Sequence, residues 1–141
     1  MVAGQQKFQL KREARVIWLT AIGTWSSRTV EDYIRQLRAL VATLNGQPWA
    51  MVLDGREWQA CPADVFETLR ENSSWCFEHR LSHGVVLLPE DALLRWQFMQ
   101  ATKVEKPAHY HRNLVDSLEE ARALMSQTGF FSETDNQALG S

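Results

Sequence analysis

The segment Trp49–Asp64, WAMVLDGREWQACPAD, holds the side chains of this chain best placed to do chemistry. A carboxylate (Asp54), a guanidinium (Arg56), an indole (Trp58) and a thiol (Cys61) follow one another closely there. Asp54 ends an apolar run with the composition of a buried strand. A carboxylate at such a place can act as a base or hold a basic group of a partner. It can equally accept hydrogen bonds from loop amides, as Asp before Gly often does. Cys61 precedes Pro62 at an expected helix start, where the helix dipole lowers a thiol pKa. It reads either as a modifiable thiolate or as a small buried residue. Trp58 falls outside any regular apolar period. Exposed beside Arg56, it would suit a protein interface or a hydrophobic ligand; buried, it would be core. These four residues are the expected binding positions, on the loop from Asp54 to Asp64.

Two other groupings offer less. His109 and His111 alternate around Tyr110, so on a strand both imidazoles share a face, and such a pair can ligate zinc. A third ligand would have to come from His79, His83, a Cys or a carboxylate, and no second motif marks one. Arg95, Lys103, Lys106, His109, His111 and Arg112 interleave with Trp96, Phe98 and Tyr110. That mixture can pair with phosphates and stack on bases, but Glu105 dilutes it, and a solvated face is the plainer reading. No nucleophile–base set, metal cluster or phosphate loop is present, so neither a catalytic residue, a metal nor a cofactor is expected. Trp25, Trp58, Trp75 and Trp96 are among six tryptophans in 141 residues. Trp favours places where one side of the ring is buried and the other wet.

The elements that must position these residues follow from periodicity. Phe8–Leu10 and Arg15–Trp25 form an N-terminal hairpin, the second strand apolar on both faces like an interior strand. Val30, Tyr33, Ile34, Leu37, Leu40, Val41 and Leu44 set out a one-sided helix, with Thr29 as the expected cap and Gly46 after the stop. Trp49–Leu53 is the next strand. A helix from Pro62 buries Val65, Phe66, Leu69, Cys76 and Phe77. Gly84–Leu88 is a strand closed by Pro89, and Asp91–Lys103 a helix with a broad apolar surface. His109–Leu114 is a last strand, followed by a helix opening on the capping box Ser117–Glu120. Strands alternating with helices imply a largely parallel sheet with right-handed crossovers.

The chain carries a formal charge of −2, with 45% hydrophobic and 23% charged residues. It is long enough for one domain with a real core, here residues 1–131, followed by a polar, aperiodic tail over 132–141 expected to be disordered. The charge offers no global field for nucleic acid or an anionic membrane. MVAGQQKFQLKR lacks the apolar core of a secretory signal, and no apolar run is long enough to span a bilayer. Two cysteines, Cys61 and Cys76, fit buried thiols in a cytoplasmic protein better than a disulfide.

The order of elements resembles the SpoIIAA-like or STAS-like family of anti-sigma-factor antagonists and sulfate-transporter cytoplasmic regions. Val52-Leu53-Asp54 looks like that family's central strand before its regulatory loop. His83–Leu88 with Pro89 looks like the strand after it, and Asn113–Ala121 like the final strand-to-helix step. The resemblance covers most of Phe8–Phe130. The antagonists carry a phosphorylatable Ser or Thr at the start of the helix after the central strand. Residues 55–67 here contain neither, so the phosphorylation switch does not carry over.

The resemblance implies a mixed, mostly parallel sheet of four or five strands with about four helices. It also implies a non-enzymatic regulatory or protein-interaction module with a protein partner; from charge and run length, neither a nucleic acid partner nor a membrane span is expected. An edge strand at Phe8–Leu10 or His109–Leu114 would support a homodimer. The alternative is a small-molecule or lipid-binding domain with an apolar pocket near Trp58. An enzyme would require Cys61 or Asp54 within hydrogen-bond reach of a histidine.

Overall fold

The hairpin, the alternation of strands and helices, and the four helices are all present in the structure, a computed structural model that describes residues 7–103 and 105–133. The strands are β1 (Phe8–Glu13), β2 (Val16–Thr24), β3 (Trp49–Ala60), β4 (Leu81–Leu87) and β5 (His111–Leu114). The helices are α1 (Ser27–Ala42), α2 (Ala63–Glu78), α3 (Ala92–Ala101) and α4 (Leu118–Thr128). One five-stranded sheet has the order β1-β2-β3-β4-β5, with β1 antiparallel to β2 and every later pairing parallel. Because the parallel strands advance in one direction, right-handed crossovers place their helices on one face of the sheet.

Two cores result. On one face Leu19, Ala21 and Met51 meet Val30, Tyr33 and Leu37 of α1, Val65 and Cys76 of α2, and Phe98 of α3. On the other, Val16, Ala50, Val52, Val85 and Leu87 are covered by Ala121 and Met125 of α4. The interior strands are apolar on both sides for this reason, as two-sided burial requires.

β1 runs on to Glu13 and β4 begins at Leu81, beyond the expected Leu10 and Gly84, and three further boundaries differ in ways that bear on the site. The cap of α1 is Ser26, not Thr29, and its hydroxyl accepts from the Thr29 amide at 3.3 Å. Both residues are good caps, and the earlier one adds a turn. β5 begins at His111, so His109 lies in the preceding turn, off the strand. The third difference is the largest: β3 does not stop at Leu53 but continues to Ala60. At the start of α4, Ser117 accepts from the Glu120 amide at 3.1 Å, as its capping box requires.

The first two residues of the expected tail are anchored. Arg15 is 4% exposed and donates to the carbonyls of Pro48, Gly129 and Ser132 at 2.7, 3.1 and 3.0 Å, with its guanidinium over the Phe130 ring. Arg12 pairs with Glu133 at 3.0 Å. Residues 134–141 lie outside the described residues.

Candidate functional site

The extension of β3 past Leu53 determines where the four expected site residues go. Thr20 of β2 pairs with Asp54, but Ile22 pairs with Glu57, so β3 has one residue more than its partner in this interval. A second irregularity follows between Gly23 and Thr24. A bulge adds a residue and inverts the in–out alternation downstream of it. Ala50 and Val52 face α4, and without the bulge Trp58 would share their parity. Instead it turns to the opposite core, where it is 3% exposed.

Trp58 packs edge-on against Phe98 of α3, with ring centroids 5.5 Å apart. Gly55 permits that approach: a Cβ there would lie 2.6 Å from Phe98 Cε2 and 3.2 Å from the Leu87 carbonyl oxygen. α3 thus covers the part of β3 that runs beyond β4, whose pairing ends at Asp54–Leu87. Covering an open edge with a helix is a common way to keep it from pairing with another chain.

Asp54 is 7% exposed. Arg56 grips its carboxylate from both sides, Nε donating to Oδ1 at 2.9 Å and Nη2 to Oδ2 at 2.8 Å, and the Arg56 amide adds a bond to Oδ1 at 3.2 Å. Burial pushes the Asp54 carboxyl up, but the Arg56 bonds outweigh it and hold the carboxyl below its ordinary range. This fork geometry is the strong form of the pair. Asp54 is therefore the brace of the bulge, and only Arg56 of the two reaches the surface, its side chain 44% exposed.

Cys61 is buried, and its thiol is raised to about 11, chiefly by burial and further by the charge of Asp64. The expected lowering by the helix dipole is overridden because desolvation penalises the thiolate more strongly. Cys76 is likewise buried, and its thiol is raised to about 12 by burial. Among the described residues neither Asp54 nor Cys61 hydrogen-bonds a histidine, and no three His, Cys, Asp or Glu side chains converge as metal ligands. His83 instead bonds Asn113 at 2.8 Å.

The sequence reading missed a cavity of about 110 Å³ between the sheet and α1, α2 and α3. Leu19, Met51, Leu53, Trp58, Val86 and Phe98 supply apolar wall, while Asn72, Ser73, Cys76, Thr102, Tyr110 and Arg112 supply polar groups. Gly84 contributes by the side chain it lacks, since a Cβ there would collide with the Tyr110 hydroxyl. No local pattern announces a void between four elements. Of its polar members, Tyr110 and Arg112 stood in the basic and aromatic run read as a solvated face.

The outer face of α3 is different in kind. Leu93 and Trp96, one turn apart, are 63% and 58% exposed, and Leu114 and Leu118 at the β5–α4 junction are 55% and 43% exposed. The start of α3, the ends of β3 and β4 and the end of β5 all lie at the carboxyl end of the parallel strands.

No protein-family model and no curated protein sequence matches this chain. Among solved structures it is similar to an uncharacterised DUF3478-family protein with a SpoIIAA-like fold from Shewanella loihica PV-4. The TM-score is 0.59 at 11% identity, covering 83% of this chain and 90% of that one. It is also similar to the anti-sigma factor antagonist SpoIIAA in its unphosphorylated form, with TM-score 0.52 at 11% identity over 85% of this chain and 97% of that one.

The fold is SpoIIAA-like. Both the mixed sheet and the four helices expected from the sequence belong to it. Open α/β sheets bind ligands in the crevice where the strand order reverses, and the order here runs from β1 to β5 without reversing. The sheet therefore has no switch-point crevice, and the cavity beside Trp58 lies under the helices. Among the described residues no helix is long and apolar enough to cross a membrane.

Proposed function

We propose that this chain is a non-enzymatic regulatory module that works by binding a protein partner at the carboxyl end of its sheet. The carrying observation is the exposure of Leu93 and Trp96 on α3. Large apolar side chains held out in water on a rigid helix are costly unless covered, and a Trp with neighbouring leucines is the composition of an interface centre. Arg56 at the same end supplies a guanidinium for the rim. Of the four residues expected to bind, Arg56 is the one whose exposure supports contact with a partner. Asp54 orients it, while Trp58 and Cys61 are buried.

The fold likeness agrees with this reading, since SpoIIAA is an anti-sigma factor antagonist. The absence of Ser and Thr from residues 55–67 separates this module from regulation by phosphorylation at that helix start. We assign it to one domain, residues 1–131, acting in the cytoplasm without nucleic acid. A second copy of the chain would pair through β1 or β5, the two sheet edges. The test is crosslinked capture from native cells with the wild type and a Leu93→Ser/Trp96→Ser variant.

A second reading rests on the cavity beside Trp58, as a site for a small apolar ligand. A ligand that binds there would stabilise the folded chain by mass action.

A further inference from the structure

We infer that the internal cavity takes a small monocarboxylate, its apolar body among Trp58, Phe98 and Met51 and its carboxylate at Arg112. This rests on the reading of the cavity as a ligand site and adds the chemistry of the ligand.

Arg112 decides the ligand class. It lies on the short edge strand β5, at the polar side of the cavity, and it is partly buried. Its contacts are weak acceptors: Nη2 reaches Thr102 Oγ1 at 3.4 Å and Met99 Sδ at 3.5 Å. None of the ion pairs among the described residues includes it. The other partly buried or buried arginines that order this fold have oxygen partners at shorter range: Arg15 holds three carbonyls and Arg70 the Gln100 carbonyl at 2.9 Å. A guanidinium partly withdrawn from water, with a thioether and a distant hydroxyl as its acceptors, is suited to receive a stronger, anionic acceptor.

The surroundings favour the same sign. Lys106 lines the same cavity, and its pKa is lowered first by burial and further by the charge of Arg112. Burial likewise lowers Arg112. Tyr110 adds a hydroxyl at the same side, turned toward Gly84. Carboxylate is the anion that fits a single guanidinium fork beside a hydroxyl, and the apolar wall requires a hydrophobic body attached to it.

Volume sets the size. An apolar cavity of about 150 Å³ accepts benzene, so about 110 Å³ with the carboxylate at its polar edge suits a body no larger than a benzene ring or a short alkyl chain. Benzoate and hexanoate have these dimensions.

The experiment is calorimetric titration of the full chain with benzoate and with benzyl alcohol, which share a ring and differ in charge. The same pair is titrated into Arg112→Met, and the methyl resonances of Met51 and Leu53 are followed to locate the ligand. The expected result is that benzoate binds at least tenfold more tightly than the alcohol, moves both methyls, and loses that advantage in Arg112→Met while the alcohol binds as before. Equal binding of acid and alcohol to the wild type, or an advantage that survives Arg112→Met, would overturn the carboxylate assignment and leave the cavity a ligand site. If neither compound binds at millimolar concentration, or if binding leaves Met51 and Leu53 unmoved, the cavity reading itself fails. The comparison of acid with alcohol in the wild type stands even if the variant does not fold.

Discussion

Trp58 of β3 and Phe98 of α3 meet edge to face, with ring centroids 5.5 Å apart, and this contact joins the bulged end of the central strand to the helix that carries the exposed apolar pair. Removing the indole would open the core under α3. Trp58→Ala is expected to cost about 3–5 kcal/mol, and Trp58→Phe clearly less. Urea denaturation followed by circular dichroism measures both. A Trp58→Ala protein of unchanged stability would mean that the side chain is not core.

The Asp54–Arg56 fork makes stability depend on pH in a definite direction. Asp54 has an ordinary value of 3.8 and lies below it in the folded chain, because the Arg56 bonds overcome burial. A lowered carboxyl contributes stability that is complete above its unfolded value and is lost as pH falls through the folded one. Asp54→Asn is therefore expected to cost about 1.5–3 kcal/mol at neutral pH. That difference from the wild type should shrink on acidification below about pH 4. A difference independent of pH from neutral to strongly acid solution would refute the pairing.

Both thiols are expected to be inert in the folded protein. With Cys61 raised to about 11 and Cys76 to about 12, chiefly by burial, little thiolate is present at neutral pH and access is restricted. Labelling by an aromatic disulfide reagent should run at least a hundredfold slower than in denaturant, on the order of what thiolate fraction and burial together imply. Rapid modification of one thiol in the native state would restore Cys61 as a reactive site.

Arg15 closes the domain by holding the chain after α4 against the hairpin turn. Arg15→Met keeps the bulk but leaves the carbonyls of Pro48, Gly129 and Ser132 without this donor, and is expected to cost about 3 kcal/mol or more. Amide exchange should accelerate first around Phe130, whose carbonyl accepts from the Arg15 amide at 2.9 Å.

What the sequence revealed and concealed follows from the range of the forces involved. The helices and interior strands were legible because burial repeats at fixed intervals along the chain, as in the Val30–Leu44 series of α1. The Asp54-Gly55 pair was misleading. It is an ordinary turn signal, yet the glycine serves the approach of Phe98, a residue distant in sequence, and the aspartate serves a bulge. Trp58 fell outside the apolar rhythm because the bulge shifts that rhythm. Periodicity therefore marked the irregularity without saying that the side chain points inward. Arg112 was visible only as one member of a basic run. Its lack of a strong acceptor is a tertiary fact, as is the space it faces.

Docking of a protein partner on α3, as proposed, is tested by crosslinked capture from native cells. The wild type is compared with Leu93→Ser/Trp96→Ser, whose exposed positions can change without loss of fold, a point checked by an unaltered denaturation midpoint. A protein crosslinked to α3 of the wild type is expected to fall at least tenfold with the variant. An unchanged set of captured proteins, or none crosslinked to α3, would contradict it.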